Sequence, residues 1–194
     1  MRNKIDYGID LGTTNSAIAR MENGVPTIKK SETFKDTIPS CVHYNKKQDV
    51  LVGDKAIGVL NIDNSRALKS FVKGTTNTFL EFKRIMGSTE TKPCPNLGRD
   101  ITSEELSSEV LKKLKSLIQD DTISSIVITV PANFLNPQTE ATMKAAKMAG
   151  FKHVELLQEP VAAATAYGLG SKSKDGFWLV FDFEIGRASC RERV

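Results

Sequence analysis

Cysteine is scarce in this chain: Cys41, Cys94 and Cys190 are the only three in 194 residues. Their number is odd and no two stand in C-x-x-C spacing, which excludes a metal knuckle and fits a reducing cytosol. Long apolar runs are lacking as well. The N-terminus carries two basic residues but no apolar core of a signal peptide, and no stretch approaches the roughly 20 residues that a membrane span requires. We therefore expect a cytoplasmic chain with no membrane partner. Nor is there a large excess of one charge, and a net charge of +4 gives no ground for nucleic-acid binding. What is present, 40% hydrophobic and 26% charged residues, is the balance of a soluble globular protein. The length allows one large domain or two small ones with ample core.

The most informative stretch is Tyr7-Gly8-Ile9-Asp10-Leu11-Gly12-Thr13-Thr14-Asn15-Ser16. Tyr7 to Leu11 reads as a strand, and the alternation after Ser16 as a second. The turn between them consists of a glycine, two threonines and an asparagine. Gly12 is able to take a positive φ and lets backbone approach a ligand. The N–H groups of the turn would line a small anion-binding concavity, and Asp10 ends the first strand aimed at the same place. A carboxylate beside phosphate-binding N–H groups repels the phosphate unless a cation lies between them. The pair therefore suggests a metal–nucleotide site, with Asp10 holding Mg²⁺ directly or through water. The same residues equally describe a plain β-hairpin with a polar turn.

Asn23-Gly24 predicts a tight turn, with Val25 to Lys30 returning as a third antiparallel strand. Ser31 to Ile38 reads as loop, and short strands follow around Ser40–Tyr44 and Val50–Gly53. Asp54 opens a short helix through Leu60, and Asn61 to Asn77 is irregular. Thr78 to Met86 reads as a helix with Phe79, Phe82 and Met86 on one side, and Ser88 to Asp100 as a loop. Thr102-Ser103-Glu104-Glu105 is a capping box that opens a long helix with Leu106, Val110, Leu114, Leu117 and Ile118 on its apolar face. Ser125 to Val130 is a buried strand. Asn136 as cap and Pro137 open a helix to Ala149, stopped by Gly150. Val154 to Gln158 is the next strand, and Glu159-Pro160 opens a helix of small residues stopped by Gly168. Ser171 to Gly176 reads as a turn or hinge, and Phe177 to Phe183 as a last apolar strand.

Three antiparallel strands followed by strand–helix units predict an α/β fold with parallel additions to the same sheet. In such sheets ligands bind beyond the carboxyl ends of strands, where Asp10, Glu159 and Asp182 all fall. Each of the three, taken alone, also reads as a cap or a turn residue.

At this point the residues resemble a family. Gly8 to Ser16 is similar to the first phosphate loop of the seventy-kilodalton heat-shock chaperones. Phe82-Lys83-Arg84-Ile85-Met86-Gly87, Val127-Ile128-Thr129-Val130-Pro131-Ala132 and Gln158-Glu159-Pro160-Val161-Ala162-Ala163-Ala164-Thr165-Ala166-Tyr167-Gly168 match in the same order. Leu179-Val180-Phe181-Asp182-Phe183 looks like the approach to the family's second phosphate loop. The resemblance implies one lobe of an actin-like, ribonuclease H-like ATPase, with a mixed five-stranded sheet, flanking helices and an outer subdomain inserted over about residues 36–101. Residues 1–170 would form that lobe and 171–183 the opening strand of a second.

The family pattern implies roles for particular positions. Gly12, Thr13, Thr14 and Asn15 would bind the phosphates of ATP or ADP, with Thr13 near the γ-phosphate. Lys83 would hold the attacking water and offset charge on the transferring phosphoryl group. Glu159 would orient the magnesium–water shell, held from either side by Asp10 and Asp182. Lys69, a rival to Lys83, has flanks that match less, and Lys83 without the match would read as a solvated helix lysine. In a full-length chain the resemblance further implies unfolded peptides and a J-domain cochaperone as partners.

Two departures stand out. The connection between Gly87 and Thr102 is short for the family. After Phe183 the family's glycine triplet and threonine are replaced by Glu184 to Val194, a segment with no apolar period that reads as an extension foreign to the family. The 194-residue chain by itself is accordingly expected to bind ATP weakly, to turn it over negligibly and to associate through its last strand. A small-molecule kinase of the same superfold and an actin-like filament subunit are the alternative readings.

Overall fold

The computed structural model describes residues 5–70, 77–167, 181–184 and 187–190, with residues 67–70 and the last two stretches as backbone alone. Strands β1 (Tyr7–Leu11), β2 (Asn15–Glu22) and β3 (Val25–Ile28) form the expected antiparallel ribbon. Asn23 and Gly24 both take positive φ, 51° and 84°. That is the turn geometry whose twist matches the strands it joins. A short β4 (Ile38–Pro39) adds to β2.

An outer segment follows: β5 (Val42–Tyr44), β6 (Val50–Val52), α1 (Asp54–Ser70), β7 (Thr78–Phe79), β8 (Lys92–Cys94) and β9 (Arg99–Ile101). It has its own three-stranded sheet, in the order β6-β5-β7, and a separate β8–β9 hairpin. The chain then re-enters the main sheet through α2 (Ser103–Ser116), β10 (Ser125–Val130), α3 (Asn136–Met148), β11 (His153–Gln158) and α4 (Glu159–Ala166). β10 lies parallel to β1 and β11 parallel to β10. The resulting path β11-β10-β1-β2-β3, with β4 beside β2, is the mixed sheet read from the sequence. β12 (Phe181–Glu184) and β13 (Arg187–Cys190) pair antiparallel. Gly168, the Ser171–Gly176 hinge and residues 177–180 of the expected last strand lie outside the described residues.

Period-two alternation explains which face of the sheet is packed. Tyr7, Ile9 and Leu11 of β1, Ile18 of β2, and Ile126, Ile128 and Val130 of β10 are all buried. All of these except Val130 join Leu106, Val110, Leu111 and Leu114 of α2 and Ala145 and Ala146 of α3 in one core. Small residues on α3 let it lie close to α2. The same core runs on into the outer segment through Val42, Tyr44, Phe79 and Phe82.

Four expectations need correction. The helix begun by Asp54 does not stop at Leu60 but continues to Ser70. Once its first turns pack on the outer sheet, propagation adds a hydrogen bond per residue fixed, and no glycine or proline stands between Leu60 and Ser70. Thr78 to Met86 is not a helix. Thr78 and Phe79 pair with His43 and Val42 of β5, and only Phe82–Ile85 forms a short 3-10 turn. The apolar spacing still reports burial, since Phe79, Phe82 and Met86 are all buried. The Ser88–Asp100 loop contains the β8–β9 hairpin, in which Pro93 is tolerated because the strand has one partner only. Finally, α3 is capped one residue earlier than expected, at Leu135, whose N–H donates to the Gln138 side chain at 3.1 Å.

His43 is buried in the outer sheet, with Nδ1 and Thr78 Oγ1 sharing a hydrogen bond of 2.8 Å. Burial holds its pKa below the ordinary 6.5, and the negative charge of Asp63 offsets part of that effect. As pH falls through 6.5, the unfolded chain takes up this proton before the folded chain does. Stability therefore declines over the interval from there down to the lower folded-state value. Urea midpoints at about pH 7.5 and about pH 5.5 should differ in the native chain and differ less in His43→Gln. Equal pH dependence in both proteins would remove His43 as the cause.

Candidate functional site

Because β1, β10 and β11 are parallel, their carboxyl ends share one edge. Asp10 sits there in register with Thr129, which pairs in turn with Leu157. Asp10 is on the face opposite Ile9, and its side chain is exposed. Thr129 Oγ1 donates to Asp10 Oδ1 at 3.1 Å and fixes the carboxylate's direction.

Immediately beyond, the Gly12–Thr14 turn reverses into β2. A Cβ at Gly12 would lie 2.1 Å from the Asn15 carbonyl oxygen. The glycine is therefore required by close backbone approach, and not, as expected, by a left-handed φ, which it does not adopt. Ser40 ties down the carbonyl side of the turn. Its Oγ donates to the Gly12 carbonyl at 2.7 Å and its N–H to the Thr14 carbonyl at 2.7 Å. The Ser16 and Ser40 hydroxyls are joined at 2.8 Å.

Lys83 arrives from the outer segment. The chain enters the Phe82–Ile85 turn through Glu81 in left-handed conformation, φ 53°. It leaves through Gly87, φ 72°, where a Cβ would lie 2.6 Å from the Pro137 carbonyl. Direct backbone packing on the start of α3 thus sets the depth of the turn. Lys83 is only 4% exposed, and its Nζ donates to Glu159 Oε1 at 2.8 Å, the carboxylate being 13% exposed. The ammonium also lies 5.7 Å from the centre of the Phe134 ring. Lys83 is not a solvated surface lysine. Burying it beside a carboxylate commits both groups, since removing one partner of a buried pair costs about 3–5 kcal/mol.

Glu159 is the first residue of α4 and directly follows β11, so it belongs to the same sheet edge as Asp10. The fold thus brings Asp10, the Gly12–Asn15 turn, Lys83 and Glu159 to one end of the molecule. The side chains of Asp182 and Lys69 lie outside the described residues. Thr129, Ser40 and Phe134 carry weight here that the sequence did not signal, because strand register and loop approach bring them in. Among the described residues, no group of three or more His, Cys, Asp or Glu could hold a metal by protein ligands alone. No helix among them is long and apolar enough to cross a membrane.

A family model described as "Hsp70 protein" matches residues 6–95 and 93–190. A chaperone protein DnaK from Prochlorococcus marinus (strain MIT 9515) is 42% identical over 193 residues, covering 92% of this chain and 30% of that protein. A chaperone protein dnaK from Emiliania huxleyi is 40% identical over 192 residues, 92% of this chain and 31% of that one. The chloroplastic heat shock 70 kDa protein 7 of Arabidopsis thaliana is 39% identical over 193 residues, with 92% and 27% covered. The class is thereby defined as an actin-like ATPase fold. The chain belongs to the Hsp70 family and spans about a third of the length of the relatives it matches.

The two glycines of β1 and its turn make a direct test of the cradle. Gly12→Ala should destabilise the fold by about 1–3 kcal/mol through overpacking and should raise hydrogen exchange at the Ser40 amide. Gly8→Ala, where an added Cβ meets nothing within 4 Å, should leave that exchange unchanged. Equal effects of the two substitutions on Ser40 exchange would overturn the close-approach argument.

Proposed function

We propose that this chain is part of an ATP-dependent molecular chaperone and contributes one wall of its Mg-ATP site. The observation that carries the reading is the buried Lys83–Glu159 pair on the same sheet edge as Asp10 and the Gly12 turn. Surface ion pairs contribute little and need no burial, whereas a buried pair at the same sheet edge as a glycine turn and an oriented carboxylate suits phosphoryl transfer. That chemistry asks for positioning and charge compensation more than for covalent steps.

In this reading Gly12, Thr13, Thr14 and Asn15 bind the phosphates, with Thr13 toward the γ-phosphate. The exposed, oriented Asp10 carboxylate is a hard oxygen donor, and Asp10 and Asp182 would hold Mg²⁺ through its waters. That ion would neutralise charge on the phosphate oxygens. Lys83 places the attacking water and offsets charge as the phosphoryl group moves, while Glu159 keeps the Lys83 ammonium in place and accepts hydrogen bonds from the water shell. Hydrolysis would control a peptide-binding domain, with unfolded peptide and a J-domain cochaperone as partners. The relatives named above are two DnaK chaperone proteins and a 70 kDa heat shock protein, which favours this reading over a sugar kinase or a filament subunit.

We assign residues 1–170 to the first lobe, with 36–101 as its outer subdomain, 171–183 to the entry of a second lobe, and 184–194 to an extension in which the family's glycine triplet and threonine are missing, although the family model runs on to residue 190. Two buried free thiols, Cys41 and Cys94, support a reducing compartment such as the cytoplasm, and burial pushes the Cys41 thiol up to about 12.

The test is a hybrid in which residues 5–170 replace the matching segment of the Prochlorococcus DnaK. Lys83→Ala should lower single-turnover ATP hydrolysis by at least about a hundredfold while ATP affinity stays within about threefold. EDTA should remove tight ATP binding. An undiminished rate in Lys83→Ala, or equal affinity with and without Mg²⁺, would overturn the assignment.

A further inference from the structure

The N-terminus of α2 is satisfied without Ser103. Thr102 Oγ1 accepts from the Glu105 N–H at 3.3 Å, and the Glu105 carboxylate accepts from the Thr102 N–H at 2.9 Å. The first helical position asks only for a residue that tolerates helical φ, and even proline serves there. Yet a serine occupies it, 1% exposed, and burying an unpaired hydroxyl is unfavourable. Its partners lie outside the helix. Ser103 Oγ donates to the Phe82 carbonyl at 2.7 Å and lies 3.5 Å from Met86 Sδ. These two residues bracket Lys83.

The Phe82–Ile85 turn needs such an anchor. It is a four-residue 3-10 turn, a form with poor internal hydrogen-bond geometry, and it is entered through a left-handed Glu81. Lysine is a long flexible side chain, so its head reaches a fixed partner reliably only when its backbone is held. We infer that Ser103 is a positioning residue, whose hydroxyl holds the Phe82–Ile85 turn at the height from which Lys83 meets Glu159. The consequence for hydrolysis rests on the role proposed above for Lys83, but the positioning itself is independent of nucleotide.

The experiment uses the purified 194-residue chain and an amine-acylating reagent, with modification of Lys83 followed by mass spectrometry. Ser103→Ala should acylate Lys83 about tenfold faster than the native chain, and Ser103→Thr, which keeps the hydroxyl, should restore protection. Ser107→Ala is the control, because Ser107 is buried one turn along the same helix and its hydroxyl has no partner. It should leave Lys83 as protected as before. Ser103→Cys, a near-isostere with a weak donor, carries the same expectation as alanine should the alanine chain not fold. Unchanged protection in the Ser103 variants, or equal acceleration in Ser107→Ala, would overturn the proposal. In the hybrid protein, Ser103→Ala should lower kcat by about tenfold with KM for ATP unchanged. If Lys83→Ala leaves hydrolysis intact while the acylation result holds, the functional reading fails and the positioning stands. If Lys83→Ala abolishes hydrolysis and Ser103→Ala alters neither kcat nor protection, the positioning fails.

Discussion

A lysine and a glutamate that stand 76 residues apart in the chain are joined in the interior at 2.8 Å, and the architecture of this end of the molecule depends on that contact. Taking an ammonium and a carboxylate out of water costs several kcal/mol per ion unless the two meet in good geometry. The Lys83 turn must therefore be delivered to the β11–α4 junction with little tolerance. The surrounding contacts serve that delivery: Gly87 lies against the start of α3, and Ser103 of α2 binds the Phe82 carbonyl.

Close backbone approach recurs at both halves of the site. At Gly12 and at Gly87 a single methyl group would overlap a carbonyl or a peptide carbon. The polypeptide itself, more than any side chain, shapes the cradle, as the proposed N–H contacts to an anion would require. Side chains then add what backbone lacks: a carboxylate at Asp10 aimed by Thr129, and a buried cation at Lys83.

The outer segment is tied to the main sheet by more than the shared core. Glu32, on the loop after β3, pairs with Lys55 of α1 at 3.2 Å and with Lys113 of α2. Lys35 on the same loop reaches Asp54 at 2.8 Å. These pairs are exposed and individually weak. The continuous apolar core through Phe79 and Phe82 bears most of the connection.

Much of this was legible in the sequence, because it depended on local chemistry. Alternation over Tyr7–Leu11, the Asn23-Gly24 turn, the Thr102–Glu105 capping box and the parallel strands around Val130 and Gln158 are each decided by a few adjacent residues, and the structure has them where they were expected. The motif around Lys83 was equally visible, but its conformation was not. Helical spacing of Phe79, Phe82 and Met86 is also satisfied by a strand followed by a 3-10 turn, and only pairing of Thr78 and Phe79 with β5 selects between the two. The Asn61–Ser70 stretch reads as irregular from its composition, yet it is helical because α1 is already nucleated on the outer sheet. Likewise the need for glycine at position 12 comes from an approach to Asn15 that no φ preference announces, and Thr129, Ser40 and Ser103 gain their partners from strand register and helix docking. The sequence by itself determined the periodicities, caps and turns. Tertiary structure alone decided which distant groups meet, because burial and register are properties of the assembled sheet and not of any segment within it.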